Sequence, residues 1–177
     1  MSNNIIINGS TYSNVDTITI KDSNNLDVLF NVPINSSDEN GIIAGTISGM
    51  YINSTVSCIE QYRFAGCSQL TGVSLASCQY IGSHAFSECS QLSSVYAPSC
   101  STVYPYAFRE CLQLSSITLE NCITLLSYAF ANTSFLTVSL PECVTVSFDA
   151  FYFCSFLTSI YLPKCISVGT AAFQYCY

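Results

Sequence analysis

The chain has 177 residues; half are apolar, 8% are charged, and eleven acidic against four basic side chains give a formal net charge of −7. Lys21, Arg63, Arg109 and Lys164 are too few to build the basic footprint that a nucleic acid demands or the polybasic patch that holds a protein to an anionic membrane. No apolar run approaches the ~18 residues of a membrane span. The sequence therefore predicts no nucleic-acid partner and no membrane insertion. Met1-Ser-Asn-Asn-Ile5 has neither the basic start nor the apolar core of a secretory signal. On that reading the polypeptide is made and kept in the cytoplasm, or has been trimmed from a longer one.

Residues 2–33 do not repeat. Asn4 to Asn8 reads as a short apolar strand ended by Gly9-Ser10, and Val15 to Ile20 as an alternating strand. Asp22 to Asn25 is a turn cluster, and Leu26 to Val32 makes a third strand before Pro33 stops it. Three such strands form a small sheet, and so short a segment is below the size that usually folds alone. Packing on the first repeat, or docking on another molecule, is expected of it. Residues 34–46 read as a linker whose only charges are Asp38 and Glu39, too few oxygen ligands for a calcium loop.

From Ile47 onward the chain repeats. Phenylalanines closing an Ala-Phe pair fall at 86, 108, 130, 151 and 173, preceded by Arg63-Phe64, so the intervals are 22, 22, 22, 21 and 22 residues. A period in this range signals a solenoid of short units, each touching only its neighbours. At constant phase inside each unit runs Leu70-x-x-Val73-x-Leu75-x-x-Cys78, then Leu92 to Cys100, Leu114 to Cys122, Phe135 to Cys143 and Leu157 to Cys165. The x-Val-x-Leu portion alternates as a half-buried strand does, and Pro98, Pro141 and Pro163 end it. The return half, for example Ile81 to Phe86, is either a short helical turn or a second strand. Ile47 to Phe64 fits a degenerate first rung. The unit between Phe130 and Phe151 is one residue short, which predicts a local irregularity without loss of the stack.

These residues resemble the leucine-rich-repeat signature, with cysteine where other members place asparagine. The period near 22 with I-G-x-x-A-F-x-x-C is similar to the BspA-like subclass found in bacterial surface proteins. The resemblance covers about residues 47–177 and implies binding and adhesion rather than catalysis. The expected fold is mainly β, a β-rich α/β solenoid of 21–23-residue units behind a small N-terminal β-sheet. A second, shorter likeness lies in Ile7 to Ile20, which resembles the I-N-G-T-T-Y-x-x-V opening of small structural proteins encoded by phages of gut bacteria.

The sequence offers little to catalysis. His84 is the only histidine, and its counterparts are Tyr106, Tyr128, Asp149 and Ala171, so it occupies a variable surface slot. Glu88 and Glu110 share one phase and read as solvated carboxylates rather than the paired acids of a glycosidase. No glycine-rich phosphate loop is present. The eleven cysteines fall in two sets, 67, 89, 111, 154 and 176 in the return halves and 78, 100, 122, 143 and 165 after the strands, with Cys58 ahead of them. Their odd number and the absence of a C-x-x-C pair favour reduced, buried thiols over disulfides or a metal site. No enzyme activity and no cofactor are expected.

If the solenoid recognises a ligand, strand alternation points to the residue between the two core positions. Rung by rung this gives Tyr51, Ser74, Tyr96, Thr118, Ser139 and Tyr161, an uncharged stripe fitted to a cell-surface glycan or a protein. The final rung has no polar cap, so either Tyr175 and Tyr177 fold back over it or a partner or second copy covers it. A phage virion component, such as a decoration, fibre or tail-associated adhesin at the virion surface, is the leading expectation. A fragment of a bacterial cell-surface adhesin and an intracellular protein-binding scaffold are the alternatives.

Overall fold

The computed structural model describes residues 57–68 and 70–177 in full. Ahead of them it describes the backbone of five strands, β1 Ile5–Ile7, β2 Ser10–Tyr12, β3 Asp16–Lys21, β4 Asp27–Val32 and β5 Met50–Ile52. Residues 34–46, read above as a linker, lie outside the described residues. From residue 57 on, three-residue and two-residue strands alternate. The two-residue strands are β6 Cys58–Ile59, β8 Tyr80–Ile81, β10 Thr102–Val103, β12 Thr124–Leu125, β14 Thr145–Val146 and β16 Ser167–Val168. The three-residue strands are β7 Gly72–Ser74, β9 Ser94–Tyr96, β11 Ser116–Thr118, β13 Thr137–Ser139 and β15 Ser159–Tyr161. Among the described residues there is no helix, so the return half of the unit is a second strand followed by turns.

Each strand pairs in parallel with its counterpart one rung away, which places identical phases above one another: Val73 on Val95 on Ile117, and Ile59 on Ile81 on Val103 on Leu125. The N-terminal segment joins this stack. Strands β3 and β4 form an antiparallel hairpin, and β3 pairs antiparallel with β5, which in turn pairs in parallel with β7. The segment holds four strands rather than three. Ser10, expected to end the first strand, begins β2, which pairs with β1 across Asn8-Gly9. Asn-Gly is the sequence most favoured in a two-residue hairpin loop.

The third side of each rung is built from turns rather than strand. Two residues per rung, four apart, have left-handed backbones: Tyr62 and Gly66, His84 and Glu88, Tyr106 and Glu110, Tyr128 and Asn132, Asp149 and Phe153, Ala171 and Tyr175, with φ from +52° to +71°. Eleven of these twelve carry a Cβ that makes the conformation costly. The compensation lies between rungs. Phe86 N–H donates to Ala107 C=O at 2.8 Å, and His84 and Glu88 on either side donate to Pro105 and Arg109 at 3.0 and 2.8 Å. The same three bonds recur one rung on, from Tyr106, Phe108 and Glu110. Gly82 lets this side close. A Cβ there would stand 2.8 Å from the Ile59 carbonyl oxygen and the Gln61 amide nitrogen of the rung below.

Inside, the phenylalanines at 64, 86, 108, 130, 151 and 173 stack in one column with ring centroids 5.3–5.4 Å apart. Leu70, Val73, Leu75, Ile81 and Phe86 are buried, as are most of their counterparts in the next three rungs. The last rung breaks the pattern. Val168 is 55% and Ile166 85% exposed, and Tyr177 is itself 81% exposed. Tyr175 lies beside Tyr152, Phe153 and Tyr177 and leaves Ile166 and Val168 uncovered.

The short unit has a definite locus. Three steps separate Cys89 from Leu92 and Cys111 from Leu114, and each leucine N–H closes a turn onto the cysteine carbonyl at 3.0 and 2.9 Å. From Thr133 to Phe135 there are two steps. Strand β13 then pairs with β15 but not with β11, and the three-residue ladder divides in two. The two-residue ladder runs unbroken from β6 to β16. One face yields and the stack survives.

Candidate functional site: the outer face of the strand ladder

The three-residue strands alternate outward, inward, outward, as a period of two requires. Their middle residues, Val73, Val95 and Val138, are buried, and the flanking residues form two outward rows. One row is the predicted stripe: Tyr51, Ser74, Tyr96 and Thr118 stand in register on β5, β7, β9 and β11, and Ser139 faces Tyr161 on β13 and β15. Only the backbone of Tyr51 is described. Tyr96 and Tyr161 are 49% and 59% exposed, Ser139 is exposed, and Ser74 and Thr118 are half-buried. The divided ladder separates Ser139 and Tyr161 from the first four positions.

A shallow groove of about 470 Å³ runs over β7, β9 and β11, lined by Ser74, Tyr96 and Thr118 of the predicted stripe. Its other lining includes Gly72, Ser94 and Ser116, the second outward row, together with Thr71 and Ser93 just before the strands. These were not singled out from the sequence, although the same period-two reading would have reached Gly72, Ser94 and Ser116. No lining residue is charged. Serine and threonine hydroxyls both donate and accept, and part of that capacity is already committed: Ser93 Oγ donates to the Thr71 carbonyl oxygen at 2.9 Å. Gly72 takes the level at which neighbouring rungs carry serine, and a Cβ there would meet the Ser94 hydroxyl at 3.2 Å.

The parallel pairing, the constant phase and this outward row meet a family pattern. A model described as a BspA type leucine rich repeat region matches six copies over residues 44–154. The chain belongs to the BspA-type leucine-rich-repeat family. Among solved structures, a leucine rich cell surface protein of Faecalibacterium prausnitzii superposes with a TM-score of 0.64 at 22% identity, over 94% of this chain and 52% of that one. A T. pallidum leucine-rich-repeat protein superposes at 0.53 with 21% identity, over 73% of this chain and 82% of its own. The chain thus spans about half the length of the first of these, and at such identities the likeness establishes the fold. No curated protein sequence matches it significantly. Proteins of this family are in general non-enzymatic binding proteins.

In this BspA-type stack the two cysteine columns are structural donors. Cys89, Cys111, Cys154 and Cys176 direct their thiols to the carbonyl oxygen of the phenylalanine one rung below, at 3.0–3.2 Å. Thr133, which stands in the same column, donates to Phe130 C=O at 2.9 Å. In the other column Cys78, Cys100 and Cys143 donate to the carbonyl two residues ahead at 3.1–3.4 Å. A side chain that is small, apolar enough to bury and able to satisfy a buried carbonyl fits both slots. None of the eleven cysteines is joined in a disulfide, and eight are buried. Burial pushes the Cys78 and Cys143 thiols up to about 11 and Cys100 to about 12, so they stay protonated and unreactive near neutrality.

His84 is more than a surface slot. Its ring is stacked between Tyr62 and Tyr106, with centroids at 4.6 and 4.7 Å, and Tyr106 stacks on Tyr128 at 5.0 Å. All four sit at left-handed backbone positions. Partial burial and then the nearby Arg109 charge lower the imidazole pKa, so His84 is neutral at physiological pH. Glu110 pairs with Arg109 rather than with Glu88. Among the described residues no group of His, Cys, Asp or Glu is arranged to hold a metal ion.

Proposed function

We propose that this chain is a non-enzymatic binding module, presented on a bacterial cell surface, whose ligand lies on the outward face of the strand ladder. The stripe of Tyr51, Ser74, Tyr96, Thr118, Ser139 and Tyr161 is the proposed contact. The observation that carries this reading is the uncharged groove into which Ser74, Tyr96 and Thr118 converge. Such a face recognises by shape and hydrogen bonding, and charge steering adds little. The description of the Faecalibacterium protein as a cell surface protein supports the location.

A second reading rests on Ile7 to Ile20. Their likeness to phage structural proteins favours a virion component whose residues 1–33 dock on the particle, with 47–177 displayed beyond a linker at 34–46. Antibody labelling separates the two: whole bacteria labelled in the absence of phage support the first reading, and labelled particles the second. For the site itself, Tyr96→Ser with Tyr161→Ser should reduce retention of host cells on beads carrying the protein while the thermal midpoint stays unchanged. Undiminished retention would remove the stripe from consideration.

A further inference from the structure

We infer that the groove takes a neutral oligosaccharide, with pyranose rings stacked against the faces of Tyr96. This deepens the binding-face reading above and rests on it. Three observations converge, and the first is a spacing. The molecule's own rings show that a step of one rung is a stacking distance: Tyr62, His84, Tyr106 and Tyr128 follow one another at 4.6, 4.7 and 5.0 Å with planes within 16° of parallel. On that face Tyr62, His84 and Tyr106 each stack on the ring of the next rung, although Tyr62 is itself 49% exposed. The strand face differs in its neighbours rather than in exposure. Tyr96 is flanked on the ladder by Ser74 and Thr118, makes no ring contact among the described residues, and is 49% exposed. A six-membered ring set at the level of Ser74 or Thr118 would therefore meet Tyr96 at the spacing the protein uses for its own stacks.

The second observation is the chemistry beneath such a ring. A pyranose presents one C–H-rich face, suited to an aromatic surface, and a rim of hydroxyls that each donate and accept. Ser74, Thr118, Ser94 and Ser116 supply hydroxyls of the same dual character along the groove. Its volume of about 470 Å³ falls within the range of small-ligand sites, about 300–1,000 Å³.

The third observation weighs against the commonest peptide mode over the middle of the groove. An extended peptide adds to a sheet through an unpaired strand edge; β9, at the centre of the groove, is paired on both sides, to β7 and β11, and the open edge of β11 lies at the groove's rim. Anionic glycans and charged peptides find no counter-charge in the lining.

The test uses the 177-residue chain with maltohexaose, cellohexaose and mannohexaose as neutral probes and a heparin hexasaccharide as the anionic control. Calorimetry should register at least one neutral probe. Tyr96→Ala should weaken it about tenfold, the scale of one lost aromatic contact with its buried area, and Tyr96→Phe should keep it. Ser94→Arg, which fills the groove, should abolish it, and each variant should melt with the parent. Neutral binding unchanged in Tyr96→Ala, or binding of heparin alone, overturns the inference. If no neutral probe binds and yet Ser94→Arg stops retention on host cells, the oligosaccharide is wrong and the groove remains the site. If Ser94→Arg also leaves retention intact, both readings fall.

Discussion

The two outer faces of the rung solve the same problem by different means, and the short unit at Thr133 shows what each contributes. The strand face joins rungs by regular parallel pairing, and it fails where one residue is missing, since β13 does not pair with β11. The turn face crosses the same point intact. Phe130 N–H still donates to Ala150 C=O at 2.8 Å, and Asn132 to Tyr152 C=O at 2.9 Å. It does so although it holds two left-handed residues per rung, a conformation side chains resist. Favourable backbone geometry therefore does not mark the more robust face. What marks it is the column of phenylalanines beneath the turns, continuous from Phe64 to Phe173, into which a one-residue deletion outside the Ala-Phe segment does not reach.

The largest expected effect removes both faces at once. Burial raises the pKa of Cys78, Cys143 and Cys154 to about 11 and of Cys100 to about 12, against 9.0 for a free thiol. These thiols lie in both columns. A raised acid pKa means that the folded state resists losing the proton which the unfolded chain gives up. The contribution is full below pH 9 and declines as pH rises toward 11–12. Each such thiol withdraws about 1.4 kcal/mol per pH unit across that window, so denaturant midpoints should fall steeply between pH 9 and 11. A flat profile there would show that the columns are open to solvent.

Next in size is the difference between two core truncations. Phe130 touches Phe108, Phe151 and Phe135 at the level where the strand ladder is divided. Phe86 lies where both ladders are intact, between Phe64 and Phe108. Phenylalanine-to-alanine changes in cores cost about 3–5 kcal/mol. Urea denaturation should place Phe130→Ala at the upper end of that range and above Phe86→Ala. The reverse order would return cohesion to the strand face.

The smallest effect is a gain. Ala171 has φ +57° with a methyl side chain. Ala171→Gly should stabilise by about 0.5–1 kcal/mol, since glycine takes this conformation freely. Tyr106→Gly, with φ +60°, relieves the same strain but loses stacking on His84 and Tyr128, and should give no such gain. Thermal midpoints of the two variants decide whether stacking is what offsets the strain.

The period of 22 and the Leu-x-x-Val-x-Leu phase carried the solenoid, its buried rows and the stripe through Tyr96, since a strand's alternation follows from its geometry alone. The missing residue was countable, and its locus follows once Thr133 is aligned with the cysteines. The left-handed turns were not visible. Tyr62, Tyr106, Glu88 and Phe153 are not residues that announce a positive φ, and only Gly66, Asn132, Asp149 and His84 hint at it. Their conformation is imposed by bonds to the next rung, a tertiary cause that no local propensity records. The hairpin of β1 and β2 was missed for the opposite reason. Asn8-Gly9 does announce it, whereas reading Gly9-Ser10 as a strand end overlooks Ser10 as the first residue of β2, paired with Ile7.

The divided ladder also has a mechanical meaning. A stack bonded on all sides resists bending through its outermost bonds, on whichever side is stretched. Between β11 and β13 one side lacks the strand-ladder bonds and is held only beside them, where the Ser134 N–H donates to Leu114 C=O at 3.0 Å and its hydroxyl to Leu112 C=O, while β12 and β14 on another remain joined. At that level the molecule has a pivot and a seam. Load that stretches the strand face should open the seam before any other, and the segment bearing Tyr96 would tilt away from the one bearing Tyr161 as two stiff plates joined by a leaf spring.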